Sequence, residues 1–66
     1  MENYIGQYTV KNKSRYRTGI TSFEVGSGVS VKITQVDNEH RKVLVDFGDG
    51  CIDWFHNSIV DNLIKC

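Results

Sequence analysis

The chain has no proline, only two cysteines, one tryptophan and one methionine among 66 residues. Without proline or a low-complexity tract there is no stiff linker, and no internal repeat divides the chain. Two cysteines, Cys51 and Cys66, allow one bridge in a secreted mini-protein and stay free thiols in a reducing compartment; the free-thiol state is the expectation here. Long apolar runs are missing too. Val43-Leu44-Val45 is among the longest, against the roughly 20 residues that a membrane-spanning helix needs. The start, Met1-Glu2-Asn3-Tyr4-Ile5-Gly6, has no basic stretch leading into an apolar one, so a cytoplasmic location is expected. On that expectation Asn12-Lys13-Ser14 matches the glycosylation pattern by chance. Charge of one sign is also lacking. Eight Lys/Arg balance eight Asp/Glu for a net charge of +0, which argues against a generally sticky polycation but allows a local patch.

What is present is enough for one small core. Apolar residues make up 39% and charged residues 24%, a globular composition rather than a disordered one. At this size about 60% of the unfolded surface can be buried, so residues 1–66 are expected as a single domain without a deep, lidded cavity. Between glycines, alternation with period two dominates. Val29, Val31 and Ile33 alternate with Ser30, Lys32 and Thr34, a strand with one apolar and one wet face. Val43, Val45 and Phe47 repeat the pattern, with Leu44 and Asp46 facing the other way. The segment 37–40 joins these runs as a hairpin loop. Gly48-Asp49-Gly50 is a second tight turn, because Asp-Gly tolerates the positive φ such turns need. Cys51 to Phe55 is the next strand, so residues 28–56 read as a three-stranded antiparallel meander. Tyr4–Val10 and Arg15–Phe23 are also β-prone, interrupted at Gly6 and Gly19.

The period changes in the tail. Ile59, Val60, Leu63 and Ile64 sit at helical spacing, and Ser58-x-x-Asp61 offers an N-cap. So short a segment holds one helical turn at most, followed by an extended end. The expected core is Val29, Val31, Ile33, Val43, Val45, Phe47, Ile52, Ile59 and Leu63.

Val43-Leu44-Val45-Asp46-Phe47-Gly48-Asp49-Gly50 resembles the strand-turn-strand core of Tudor domains, which often read hydrophobic-x-Asp-aromatic-Gly-Asn/Asp. Trp54-Phe55-His56-Asn57-Ser58-Ile59-Val60 is similar to the last strand and helical turn of SH3 domains, usually Trp-Phe-Pro-x-Asn-Tyr-Val. The resemblance covers residues 23–64. It implies an all-β, SH3-like (Tudor-like) small barrel of about five antiparallel strands with one short helical turn near the C-terminus. The ligands of those families do not carry over with it. Tudor domains cage methylated cations between aromatic rings; Phe47 matches one such position, but Leu44 and Val45 stand on the neighbouring cage strand. SH3 grooves use paired tyrosines, and their tyrosine position near the end is Ile59 here.

Lys11-Asn12-Lys13-Ser14-Arg15-Tyr16-Arg17 concentrates four of the eight basic residues, and no acidic residue occurs from Asn3 to Ser22. If the segment is extended, Lys11, Lys13, Arg15 and Arg17 project from one face about 7 Å apart. That spacing suits successive phosphates, with Tyr8 and Tyr16 able to stack on bases. The plainer explanation is a solvated edge strand whose cations deter sheet-to-sheet aggregation. From residue 37 to 61 the sign reverses: Asp37, Glu39, Asp46, Asp49, Asp53 and Asp61 stand against Arg41 and Lys42. The resulting polarity suits a protein partner recognised by charge, or self-association, or is ordinary mixed surface charge. On the 51–56 strand one of Trp54 and Phe55 must point inward; the other is then a natural interface anchor.

Catalysis finds little support. Cys51 and His56 lie on opposite faces of a regular strand, which separates the only thiol–imidazole pair close in sequence. Asp46, Asp49 and Asp53 match no calcium loop, and His40, His56, Cys51 and Cys66 lack zinc-site spacing. Gly26-Ser27-Gly28 is not followed by a helix that would cradle phosphate. The sequence therefore reads as a non-enzymatic module without cofactor or metal. It is expected to bind a protein partner through Arg15, Tyr16, Arg17, Trp54 and Phe55. The alternative is a nucleic-acid binder using Lys11, Lys13, Arg15, Arg17 and Tyr8.

Overall fold

A computed structural model describes residues 4–19, 21–48 and 50–66. Seven strands form two antiparallel sheets: β1 (Gly6–Val10), β2 (Ser14–Thr18), β3 (Thr21–Val25), β4 (Ser30–Asp37), β5 (Lys42–Asp46), β6 (Ile52–His56) and β7 (Leu63–Lys65). A 3-10 helix, Asn57–Asn62, connects β6 to β7. The larger sheet has the order β6-β5-β4-β1-β7, and β2-β3 form a separate ribbon. The expected meander is β4-β5-β6. The expectation of about five strands in a closed barrel is corrected: seven strands are present, and the sheets do not close, because β6 and β7 end the larger sheet as unpaired edges. The β-prone stretch 15–23 breaks at Gly19, where the chain folds back into the β2-β3 hairpin. Gly19 takes φ +55°, a conformation glycine adopts without steric cost, and Tyr16 lands opposite Phe23.

Alternation places Val31, Ile33, Val43 and Val45 inside, all nearly inaccessible to water. A β-bulge between Ile33 and Gln35 inserts Thr34 without a partner on β5. The extra residue resets the phase, so Val36 packs against the core while Gln35 and Asp37 turn to the outer face. Tyr8, Val10, Val25 and Leu63 complete the core. Tyr8 lies opposite Val31 and Val10 opposite Leu63. The Tyr8 hydroxyl donates to Tyr4 O at 2.7 Å, and burial raises the phenol above its ordinary pKa.

Four members of the expected core sit elsewhere. Val29 is 40% exposed, because it lies in the turn before β4, where its carbonyl accepts from Val10 N–H at 2.9 Å. Ile52 is 50% exposed, because β6 turns Phe55 inward and everything two residues away from Trp54 goes out with it. Phe47 and Ile59 are only partly buried and pack against the core rather than within it. The helical turn is 3-10 rather than α, and its cap is not Ser58. His56 Nδ1 accepts from Ser58 N–H at 3.1 Å.

Candidate interaction surface

The two aromatics of β6 part company. Phe55 joins Tyr16, Phe23 and Phe47 in a cluster, with ring centroids 5.9 Å from Tyr16 and 5.5 Å from Phe47. Tyr16–Phe47 and Phe23–Phe47 close it at 5.2 and 5.0 Å. Rings at these separations touch one another, so this is packing between the ribbon and the main sheet, not an open cage around a cation. Trp54 goes the other way and is 39% exposed.

Register builds the surface around Trp54. Odd-numbered residues bond β6 to β5, as in Phe47 N–H to Cys51 O at 2.9 Å and Asn57 N–H to Arg41 O at 2.8 Å. Trp54 and Leu44 therefore face each other as a non-hydrogen-bonded pair, the closer kind. Gln35 lies on the far side of Leu44. On one side of this middle row run Lys32, Asp46 and Ile52; on the other run Asp37, Lys42 and His56. An apolar centre thus has charged residues on both flanks. Beside Trp54 lies a hollow of about 320 Å³ lined by Asp37, His40, Lys42 and Trp54. His40 Nδ1 donates to Asp37 Oδ2 at 2.8 Å and His40 N–H to Oδ1 at 3.2 Å. Chiefly through that side-chain bond, the Asp37 carboxyl is held below its ordinary pKa.

The open edge of β6 is guarded. Trp54 N–H points away from β5 and is taken by Asp53 Oδ1 at 2.7 Å. A strand added there would have to displace that carboxylate, which leaves the outer face, not the edge, as the accessible feature.

The expected contact set is not one patch. Tyr16 and Phe55 meet inside, while Arg15 and Arg17 are exposed on the opposite face of β2 from Tyr16. The basic run does not form one strand either. Lys11 and Lys13 precede β2, where Asn62 fastens the chain through bonds to Asn12 N–H and Asn12 O at 3.0 and 2.8 Å. Lys13 approaches Glu24 at 3.6 Å, which partly cancels its charge. Tyr8 is in the core and presents no ring face to a base. Asp49 lies outside the described residues. Among the described residues no three His, Cys, Asp or Glu side chains gather at ion-binding distance. Nothing in the sequence pattern points to Asn62 or makes Leu44 the centre of a surface, although the alternation of β5 already turns Leu44 outward. No protein-family model, curated protein or solved structure matches the chain.

Proposed function

We propose that this chain is a non-enzymatic, SH3-like interaction module that docks a protein partner through the outer face of β4, β5 and β6. The five-stranded sheet with a helical turn before its last strand supports the SH3-like part of the reading. One observation carries the docking part: Trp54 and Ile52, 39% and 50% exposed, stand two residues apart on one face beside Leu44, with charges on both sides. An aromatic anchor in an apolar centre with a polar rim is the anatomy of a protein interface.

Immobilised wild-type chain should retain a protein from soluble extract of its source cells that Trp54→Ala and Ile52→Ser chains do not. As a hot spot, Trp54 should weaken the captured complex by about 2 kcal/mol, or ~30-fold, when truncated. Retention equal for all three baits rules against this surface.

The nucleic-acid reading keeps one supporting feature, the exposed Arg15 and Arg17 of β2. It requires four cations acting together, hence a log–log salt slope of about −3.6 on duplex DNA. The docking reading expects no gel shift at about 50 mM salt. A steep slope that disappears in a Lys11/Lys13/Arg15/Arg17→Ala chain would replace it.

A further inference from the structure

The charges flanking Trp54 form a pattern with a particular symmetry. Lys32 and Asp46 lie at one end of the face, Asp37 and Lys42 at the other, so β4 and β5 each carry opposite signs at their two ends. Consider a second copy laid face to face, related by a twofold axis in the interface plane, perpendicular to the strands and along the middle row. Every strand then lies over its own counterpart, run in the opposite sense. Lys32 meets the partner's Asp37, Asp46 meets the partner's Lys42, and Ile52 meets the partner's His56. Leu44 and Trp54 meet themselves on the axis. If the axis is turned to lie along the strands, Asp46 meets Asp46 and Lys42 meets Lys42, two like-charge clashes. The pattern therefore favours one arrangement and rejects the other.

We infer that the partner this face fits is a second copy of the chain, in that first arrangement. The inference rests on the docking reading above and names its occupant. Three further observations support it. Neither Lys32–Asp46 nor Asp37–Lys42 closes into an ion pair within one chain, although each couple is adjacent across the sheet. The hollow beside Trp54, lined by Asp37, His40 and Lys42, carries both signs, and in this arrangement the partner's Asp46 arrives at its Lys42 wall and the partner's Lys32 at its Asp37 wall. With a net charge of +0, two copies approach without long-range repulsion.

Three strands about 4.8 Å apart and five residues long, at roughly 3.3 Å each, span on the order of 250 Å² in projection. A stable complex buries about 800 Å² per partner. The dimer is therefore weak, populated at submillimolar concentration, and loosened by salt because its ion pairs lie at the rim.

Sedimentation equilibrium on the full chain tests this. A monomer–dimer equilibrium should shift toward monomer between about 50 and 500 mM salt, where screening shortens to a few ångströms. Trp54→Ala should abolish it. Lys42→Glu and Asp46→Lys should each abolish it, since each makes two like-charge contacts across the axis. An equimolar mixture of those two variants should associate again, as should the double swap Lys42→Glu/Asp46→Lys in one chain. Asp46 also accepts Gly48 N–H at 2.8 Å, so Asp46→Lys could loosen the turn. Asp46→Asn keeps that acceptor, loses only the charge, and should still weaken association several-fold. A chain monomeric up to about 1 mM overturns the proposal, because even millimolar affinity is visible there. So does a dimer indifferent to these variants, or a mixture that stays monomeric while both variants remain folded by circular dichroism. If the chain is monomeric yet Trp54→Ala still loses a captured protein, this inference fails and the docking reading stands. If neither is seen, both fail.

Discussion

Ile33→Ala should leave the chain unfolded at 37 °C, whereas Ile52→Ala should fold normally. The sequence reads both isoleucines as core residues on alternating strands. In the structure Ile33 is 0% exposed and Ile52 50%. Ile33 sits at the centre of the main sheet, opposite Val45 on β5 and Gly6 on β1, and shares the interior with Val10, Val31 and Val43. Truncating a fully buried isoleucine loses its transfer free energy and leaves a cavity, about 2–5 kcal/mol together. A core in a chain this short rarely supplies more than roughly 3–5 kcal/mol of net stability. No cross-link supplements it, since Cys51 and Cys66 are both free and exposed. The two ranges overlap, so Ile33→Ala should show no cooperative urea transition and lose its β-type circular dichroism. Ile52→Ala should move the transition by under about 1 kcal/mol, as surface changes do. Equal effects at the two positions would mean that β6 faces the other way, and the surface built around Trp54 would go with it.

The contrast shows what alternation conveys and what it leaves open. Period two says which residues share a face; it does not say which face is inside. For β4 and β5 the choice is forced, since Val31, Ile33, Val43 and Val45 oppose Ser30, Lys32, Lys42 and Asp46. For β6 the two faces are nearly balanced, Ile52 with Trp54 against Asp53 with Phe55. Local hydrophobicity favours the first pair. The decision comes from a distance: Tyr16 and Phe23 arrive on the β2-β3 ribbon and offer Phe55 a ring cluster. The bulge at Thr34 is equally invisible in a one-dimensional pattern, yet it brings Asp37 to the outer face. The hairpin at 37–40, the turn before Cys51 and the helical turn before an extended end were legible because each is local chemistry. The basic run was misleading for the converse reason. Its even spacing suggests one strand, but the chain between Val10 and Ser14 is fastened to Asn62, fifty residues on in sequence, which no nearby residue announces. Trp54 could be named from sequence; the checkerboard around it required the register of three strands.

Asn62→Ala should detach the β2-β3 ribbon while the main sheet survives. The ribbon shares no strand pairing with the larger sheet and is held by its aromatic faces, by Val25 in the core and, at its start, by one asparagine. Asn62 Oδ1 accepts from Asn12 N–H at 3.0 Å. Its Nδ2 donates to Asn12 O at 2.8 Å, to Ser14 Oγ at 2.9 Å and, more weakly, to the Tyr16 hydroxyl at 3.3 Å. The backbone adds Lys11 N–H to Asn62 O at 2.7 Å, a bond that alanine keeps. At about 1 kcal/mol net for each good hydrogen bond, the side chain contributes roughly 2–3 kcal/mol. That loss falls on the junction between β1 and the ribbon, so it appears as local opening before global unfolding. Hydrogen exchange should show residues 14–25 losing about 30- to 160-fold of their protection, the same free energy expressed as an opening constant. Amides of β4 and β5 should change far less. Tyr16→Phe, which removes only the longest of the four bonds and keeps the ring packed on Phe47, should reproduce little of this. A uniform loss of protection across both sheets would mean that ribbon and sheet unfold as one unit, with the aromatic cluster rather than Asn62 as the dominant tie.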